Sequence, residues 1–230
     1  MSARYALYYA PAPGEAWAEF GAHWLGRCAA TGRSLAMPQV EGLPALEFAR
    51  LTAAPRRYGF HATLKAPFRL VPGATPATLC AAVGDLAAGH AAFTLRPLRV
   101  VLLDDFLALV PAAADPRLDA IAADCVTAPD HLRAPLQPAD LARRRAAGLD
   151  AREDELLQRW GYPWVLEQFR FHLSLSGALP DADRRHLAAL TAAAQARLPA
   201  DPPRFDAVCV FEETGPDADF RMIERIPLQS

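Results

Sequence analysis

Arg56-Arg57-Tyr58-Gly59-Phe60-His61-Ala62-Thr63-Leu64-Lys65-Ala66-Pro67-Phe68 is the stretch whose reading decides the fold. With a period of two, His61, Thr63 and Lys65 share one face and Phe60, Ala62, Leu64 and Ala66 the other. One face is apolar; the other carries an imidazole, a hydroxyl and a cation. A second copy stands in the C-terminal half as Phe169-Arg170-Phe171-His172-Leu173-Ser174-Leu175-Ser176-Gly177. There Arg170, His172, Ser174 and Ser176 face one way, and Phe171, Leu173 and Leu175 the other. Two strands that each bury one face and present His-x-Thr or His-x-Ser on the other predict one site with two histidines.

The flanking sequence repeats around these strands. Arg4 to Ala10 predicts a short strand, residues 14–30 an amphipathic helix, and 31–54 an irregular loop with Gly32, Pro38, Gly42 and Pro44. The first histidine strand covers about 58–70. Thr75-Pro76 opens a helix to about Ala88, followed by strands at 93–101 and 106–110 around an Asp104-Asp105 turn. A helix from Asp115-Pro116, two more between Pro138 and Trp160, the second histidine strand at 166–177, an Ala-rich helix at 180–198 and strands at 204–213 and 220–226 complete the chain. Strand, helix, loop, histidine strand, helix, strand therefore occurs twice. The order predicts an α+β fold, a single bilobal domain over 1–230. Two similar lobes, about 1–103 and 104–230, would face each other with antiparallel sheets inside, helices outside and approximate two-fold symmetry. A helical insertion at about 128–163 belongs to the second lobe.

Composition bounds the function. Hydrophobic residues make up 52% of the 230 and charged residues 22%, enough for a packed core. A formal net charge of −2 argues against a surface built to grip long nucleic acid, while leaving room for a local phosphate pocket. Cys28, Cys80, Cys125 and Cys209 are scattered in apolar segments without ligand spacing, so buried free thiols in a reducing compartment are expected. No secretory leader pattern or long apolar run occurs, which makes a cytoplasmic protein with no membrane partner the expectation.

Paired imidazoles suit proton transfer, because an unperturbed imidazole titrates near pH ~6.5. On two sides of a phosphodiester, one can take a proton from the attacking group while the other protonates the departing oxygen. The residues leave open which does which. Thr63 and Ser174 can donate hydrogen bonds to non-bridging phosphate oxygens. Lys65 and Arg170 can add positive charge, and Ser176 another hydroxyl. Arg143, in an Arg143-Arg144-Arg145 run, can close over an anion or simply face solvent. Tyr58 and Tyr162 can stack on a base or ribose ring or pack in the core. This division of labour needs no metal and no cofactor. The same cleft could instead serve a non-catalytic module that binds nucleotides or RNA ends.

The two His-x-Thr/Ser strands in a duplicated α+β chain resemble the two-histidine (2H) phosphoesterase superfamily. With Arg133-Ala134-Pro135-Leu136 and Trp160-Gly161-Tyr162-Pro163, they resemble in particular a bacterial branch encoded beside phosphonate-degradation genes. The resemblance spans the chain. It implies catalytic roles for His61 and His172 and phosphate binding by Thr63 and Ser174. It also implies a metal-independent hydrolase that opens a small cyclic phosphate, either a ribosyl 1,2-cyclic phosphate or a nucleoside 2′,3′-cyclic phosphate.

Overall fold

Tyr5, Leu7 and Tyr9 alternate with Ala6, Tyr8 and Ala10 along the first strand, and all six are buried. A strand covered on both faces has packed layers on each side of its sheet. This one, β1 (Arg4–Tyr9), lies between β2 (Ala62–Phe68) and β8 (Ala207–Glu213), with β9 (Arg221–Pro227) at the edge beyond β8. One face of β1 joins the main core; the other forms a smaller cluster with Cys209, Phe211 and Phe220. The structure, a computed structural model, describes residues 3–146, 148–216 and 218–230.

A second sheet contains β4 (Leu98–Leu103), β5 (Phe106–Pro111) and β6 (Leu173–Ala178) in that order. Two short strands, β3 (Phe93–Thr94) and β7 (Arg204–Phe205), pair separately. All the ladders are antiparallel. With seven α-helices among the described residues, the fold is α+β. Sheet membership does not follow the expected division near residue 103. The first sheet takes β8 and β9 from the C-terminal part, and the second takes β4 from the N-terminal part.

Three of the helices begin where the sequence supplies a side-chain cap. α3 (Pro76–Ala87) starts with a reciprocal pair: Thr78 N donates to Thr75 Oγ1 and Thr75 N donates to Thr78 Oγ1. Asp115 accepts from Arg117 N ahead of α4 (Pro116–Thr127). After α5 (Pro138–Arg145), Asp150 and Glu153 form a similar box at α6 (Ala151–Trp160), which ends on left-handed Gly161. The Ala-rich segment is shorter than expected: its α-helix, α7, is Leu187–Gln195.

α1 (Ala16–Trp24) matches the first expected helix, but α2 (Ala45–Tyr58) occupies a region expected to be mostly loop. Pro44 hides it: it precedes the first turn, where no intrahelical donor is needed. Pro55, inside the helix, gives up one intrahelical donor. Phe48, Leu51, Thr52 and Pro55 then bury one face, and the helix packs on β6. A Cβ at Gly177 would stand 3.2 Å from Ala54 Cβ, so glycine permits that approach.

Each histidine strand is held by the helices of the other half. The Lys65 ammonium donates to Val126 O, in the last turn of α4, at 2.6 Å and to Asp130 at 3.1 Å. Trp24 Nε1, at the end of α1, donates to Leu175 O in β6 at 2.8 Å. Both ladders carry an irregularity at this point. One step from Leu7 to Tyr8 is matched by two from Lys65 to Thr63, and two steps from Phe106 to Ala108 by four from Ala178 to Ser174. Cys125 and Cys209 are buried thiols as expected, whereas Cys28 and Cys80 are only half-buried. Among the described residues no helix is long and apolar enough to cross a membrane.

Replacing Lys65 by Met should cost about 2–4 kcal/mol in urea unfolding at pH 7, because Val126 O and part of Asp130 lose a buried partner. Asp130 keeps Arg133 at 2.7 Å, which holds the loss toward the lower end. A cost under about 0.5 kcal/mol would mean that the tie contributes nothing to the packing of β2 on α4.

Candidate functional site

His61 and His172 occupy the same local position: each is the residue immediately before its strand. Nδ1 of His61 is 2.8 Å from Gly59 O, and Nδ1 of His172 is 2.7 Å from Arg170 O. A carbonyl only accepts, so Nδ1 carries the hydrogen in both rings and Nε2 keeps the lone pair of the neutral imidazole. Gly59 makes the first arrangement possible, with φ +80° and ψ 177°; a Cβ there would fall 2.4 Å from Ala29 Cβ. Thr63 Oγ1 is 3.1 Å from His61 Nε2, placed to donate to it. Tyr8 stacks on the His61 ring at 3.9 Å between centroids, and Phe106 lies 5.4 Å from the His172 ring.

Burial disfavours the charged form of both histidines. It lowers the His61 pKa to about 4, against the Gly59 carbonyl bond and with help from the charge of His172. His172 is also lowered, by burial first and then by the Arg170 charge; its own carbonyl bond and Asp104 oppose.

The two rings open into adjoining chambers rather than one pocket. His61 lines a cavity of about 380 Å³ together with Tyr8, Tyr58, Thr63 and Ser174. His172 lines one of about 270 Å³ with Arg170, Tyr162 and Trp164. Thr63, Asp105 and Phe106 line both. Ser174 thus faces the chamber of His61, and Thr63 stands at the junction of the two.

Three expected ligand contacts are used elsewhere. Lys65 is buried and bound to Val126 O and Asp130, because the bulge in β2 breaks the alternation that would have put it beside Thr63. Ser176 Oγ accepts from Leu107 N at 2.9 Å and donates to Gly177 O; it touches the His61 chamber but serves the irregular ladder. Arg143 is exposed and paired with Asp140. Arg170 lines the His172 chamber, yet its guanidinium pairs with Asp104 at 2.7 Å. Tyr58 stacks on Phe220 while lining the His61 chamber, and Tyr162 lines that of His172.

Other lining residues carried weaker signals. Tyr8 is one of three tyrosines in the first strand, and nothing in the alternation marks it as the histidine's stacking partner. Asp104-Asp105 is the turn expected, with Asp104 at φ +53°, but the hairpin also brings Asp105 to both chambers. In the arginine run, Arg144 is the member that turns inward: it lies 4.7 Å over Tyr162, and its Nε is buried without a hydrogen-bond partner.

Comparison with known proteins adds a family and a correction. The chain is 42% identical over 228 residues to the ribose 1,5-bisphosphate phosphokinase PhnN of Janthinobacterium sp. (strain Marseille), covering 97% of this chain and 50% of that protein. It is 41% identical over 180 residues to the protein of the same name from Laribacter hongkongensis (strain HLHK9), covering 78% of this chain and 41% of the other. The chain thus spans about half the length of the curated relatives it matches, or less. Their name is that of a kinase, which passes a phosphoryl group between donor and acceptor. It overturns the expected opening of a cyclic phosphate by a hydrolase, and it gives the RNA-end alternative no support. A family model described as "Protein of unknown function (DUF1045)" matches residues 63–221, a span that holds Thr63, His172 and Ser174 and begins two residues after His61. By that match the chain belongs to the DUF1045 family.

Proposed function

We propose that the paired chambers bind a small phosphorylated sugar of the ribose phosphate class. In this reading Thr63 and Ser174 donate to phosphoryl oxygens, and His61 and His172 move a proton to or from an oxygen on the sugar phosphate. The observation that carries it is the matched pair of half-buried imidazoles, each fixed through Nδ1 and each with a basic Nε2. Neutral imidazoles can accept a proton from a hydroxyl as it becomes a nucleophile, and hydroxyl donors suit the charge on phosphorus oxygens. The likeness to the two-histidine superfamily and its two-lobed plan belongs to the same reading, supported by the equivalent placement of the two histidines and the crossed ties of their strands.

The substrate class comes from the relatives' name, and a place in phosphonate metabolism from its Phn designation together with the resemblance of the sequence blocks. Kinases of the phosphate-loop type seat their nucleotide on Gly-x-x-x-x-Gly-Lys-Ser/Thr. The one lysine of this chain, Lys65, stands in Leu64-Lys65-Ala66 and is engaged with Asp130. The proposal therefore gives this chain the sugar phosphate and leaves the nucleotide to the part of the relatives that it does not cover.

Calorimetry with ribose 5-phosphate and ribose 1,5-bisphosphate tests the reading. Binding is expected at micromolar concentrations, weakened about tenfold by Thr63→Val and by Ser174→Ala, as befits one lost hydrogen bond to a charged group. Failure of both sugars to bind below millimolar concentration would end the proposal.

The neutral state of His61 predicts a pH dependence. Its folded pKa of about 4 lies below the ordinary value of 6.5, so the unfolded chain binds more protons between those limits. The contribution to stability is complete above about pH 6.5 and is lost as pH falls toward 4. Urea unfolding of the wild type should lose stability relative to His61→Asn across that window. A difference that stays flat would show that His61 is not held neutral.

A further inference from the structure

Among the described residues, Asp105 carries a charge at the junction of the two chambers without an ion-pair partner. It lines both cavities, as Thr63 does. Its neighbour Asp104 is paired with Arg170. Lys65 and Arg133 are taken up by Asp130, and Arg143 by Asp140. Asp105 is fixed by its backbone: Leu179 N donates to its carbonyl at 2.6 Å, and the β4–β5 hairpin on either side is fully paired. The backbone of Asp105 is thus fixed at the chamber junction, and its exposed carboxylate has no hydrogen-bond or ion-pair partner among the described residues.

A bare carboxylate beside a phosphate site repels the phosphate. Its presence makes chemical sense if the ligand has a neutral part rich in hydroxyls. A carboxylate accepts two hydrogen bonds side by side, and vicinal hydroxyls of a ribose ring donate two at matching separation. An acidic side chain holding ribose hydroxyls is also a general device of nucleotide sites. We propose that Asp105 is a specificity-determining residue that accepts hydrogen bonds from the 2,3-diol of the sugar, so that the cleft selects ribose phosphates over deoxyribose phosphates and over free phosphate. The inference rests on the sugar phosphate reading given above.

The experiment measures affinities of the full chain, by calorimetry, for ribose 5-phosphate, its 2-deoxy and 3-deoxy analogues and inorganic phosphate, in wild type, Asp105→Asn and Asp105→Ala. Wild type should prefer ribose 5-phosphate to either deoxy analogue by tenfold or more. Asp105→Ala should abolish that preference and bind inorganic phosphate more tightly, a gain that loss of a purely structural residue would not produce. Asp105→Asn, which keeps one acceptor oxygen, should fall between them. An unchanged preference in Asp105→Ala overturns the inference. So does ribose 5-phosphate binding that requires added Mg²⁺ in wild type and loses the requirement in Asp105→Ala, since the carboxylate would then hold a cation. If wild type binds no ribose phosphate, the underlying reading fails instead.

Discussion

A buried ammonium must find partners, and in this fold the partners it finds join the two halves. Lys65 leaves the middle of β2 and ends on Val126 O and Asp130, at the carboxyl end of α4. Helix carbonyls at that end lack intrahelical donors and carry the negative end of the helix dipole, so a cation there is favourable on two counts. The corresponding tie from the other side is the indole of Trp24, at the end of α1, on Leu175 O of β6. Neither tie is a ladder bond of a sheet. Each uses a backbone carbonyl, near a ladder irregularity or in the last helical turn, to lock a histidine strand to the opposite half. Displacing either strand would leave a buried donor or acceptor unpaired, so the spacing between the histidines is fixed far from the histidines themselves.

The sheets strengthen this constraint. Because β8 and β9 complete the sheet of β1 and β2, and β4 completes that of β5 and β6, neither half has a full sheet of its own. β2 is an outer strand of the first sheet and β6 of the second, each with an edge left free to line a chamber. Within that frame the imidazoles are oriented by their own backbone, each Nδ1 on the carbonyl two residues earlier. Tautomer, ring direction and basic nitrogen are thereby set without help from a third side chain. The Tyr8 ring and the cluster around Phe211 and Phe220 then keep water from the inner face of His61 and push its pKa down.

Much of this was legible from alternation and capping, and the failures share a cause. Period-two reading found both histidine strands and the hydroxyls at Thr63 and Ser174, but it assumes an unbroken ladder. A bulge opposite Leu7 and Tyr8 put Lys65 into the interior, and the longer irregularity in β6 gave Ser176 a backbone task; the first has no glycine at the bulged residue, and Gly177, inside the second, reads locally as the end of the strand. α2 was obscured by Pro44, which stands at its N-cap, and what stabilises it is a face buried on β6, a contact invisible locally. In the arginine run the choice of Arg144 over Arg143 depends on where Tyr162 arrives. The activity implied by resemblance fell for a different reason: a pair of imidazoles specifies proton transfer near phosphorus, not what attacks it.

The two imidazoles are not equivalent, and the difference gives them an order. Burial discourages protonation of His61 first, and the charge of His172 adds to it. His172 is lowered too, yet Asp104 works in the opposite direction and partly offsets Arg170, with which it is paired. A single proton on the pair makes a second less favourable, because the charge of His172 acts on His61. That proton rests more favourably on His172, the ring with a carboxylate near it. In the proposed reaction His61, with its lone pair directed at the Thr63 hydroxyl, would be the acceptor. A bound phosphate dianion would raise both affinities for protons, since opposite charge favours the imidazolium. If the cleft holds a phosphate as proposed, ligand binding and protonation of the rings are coupled.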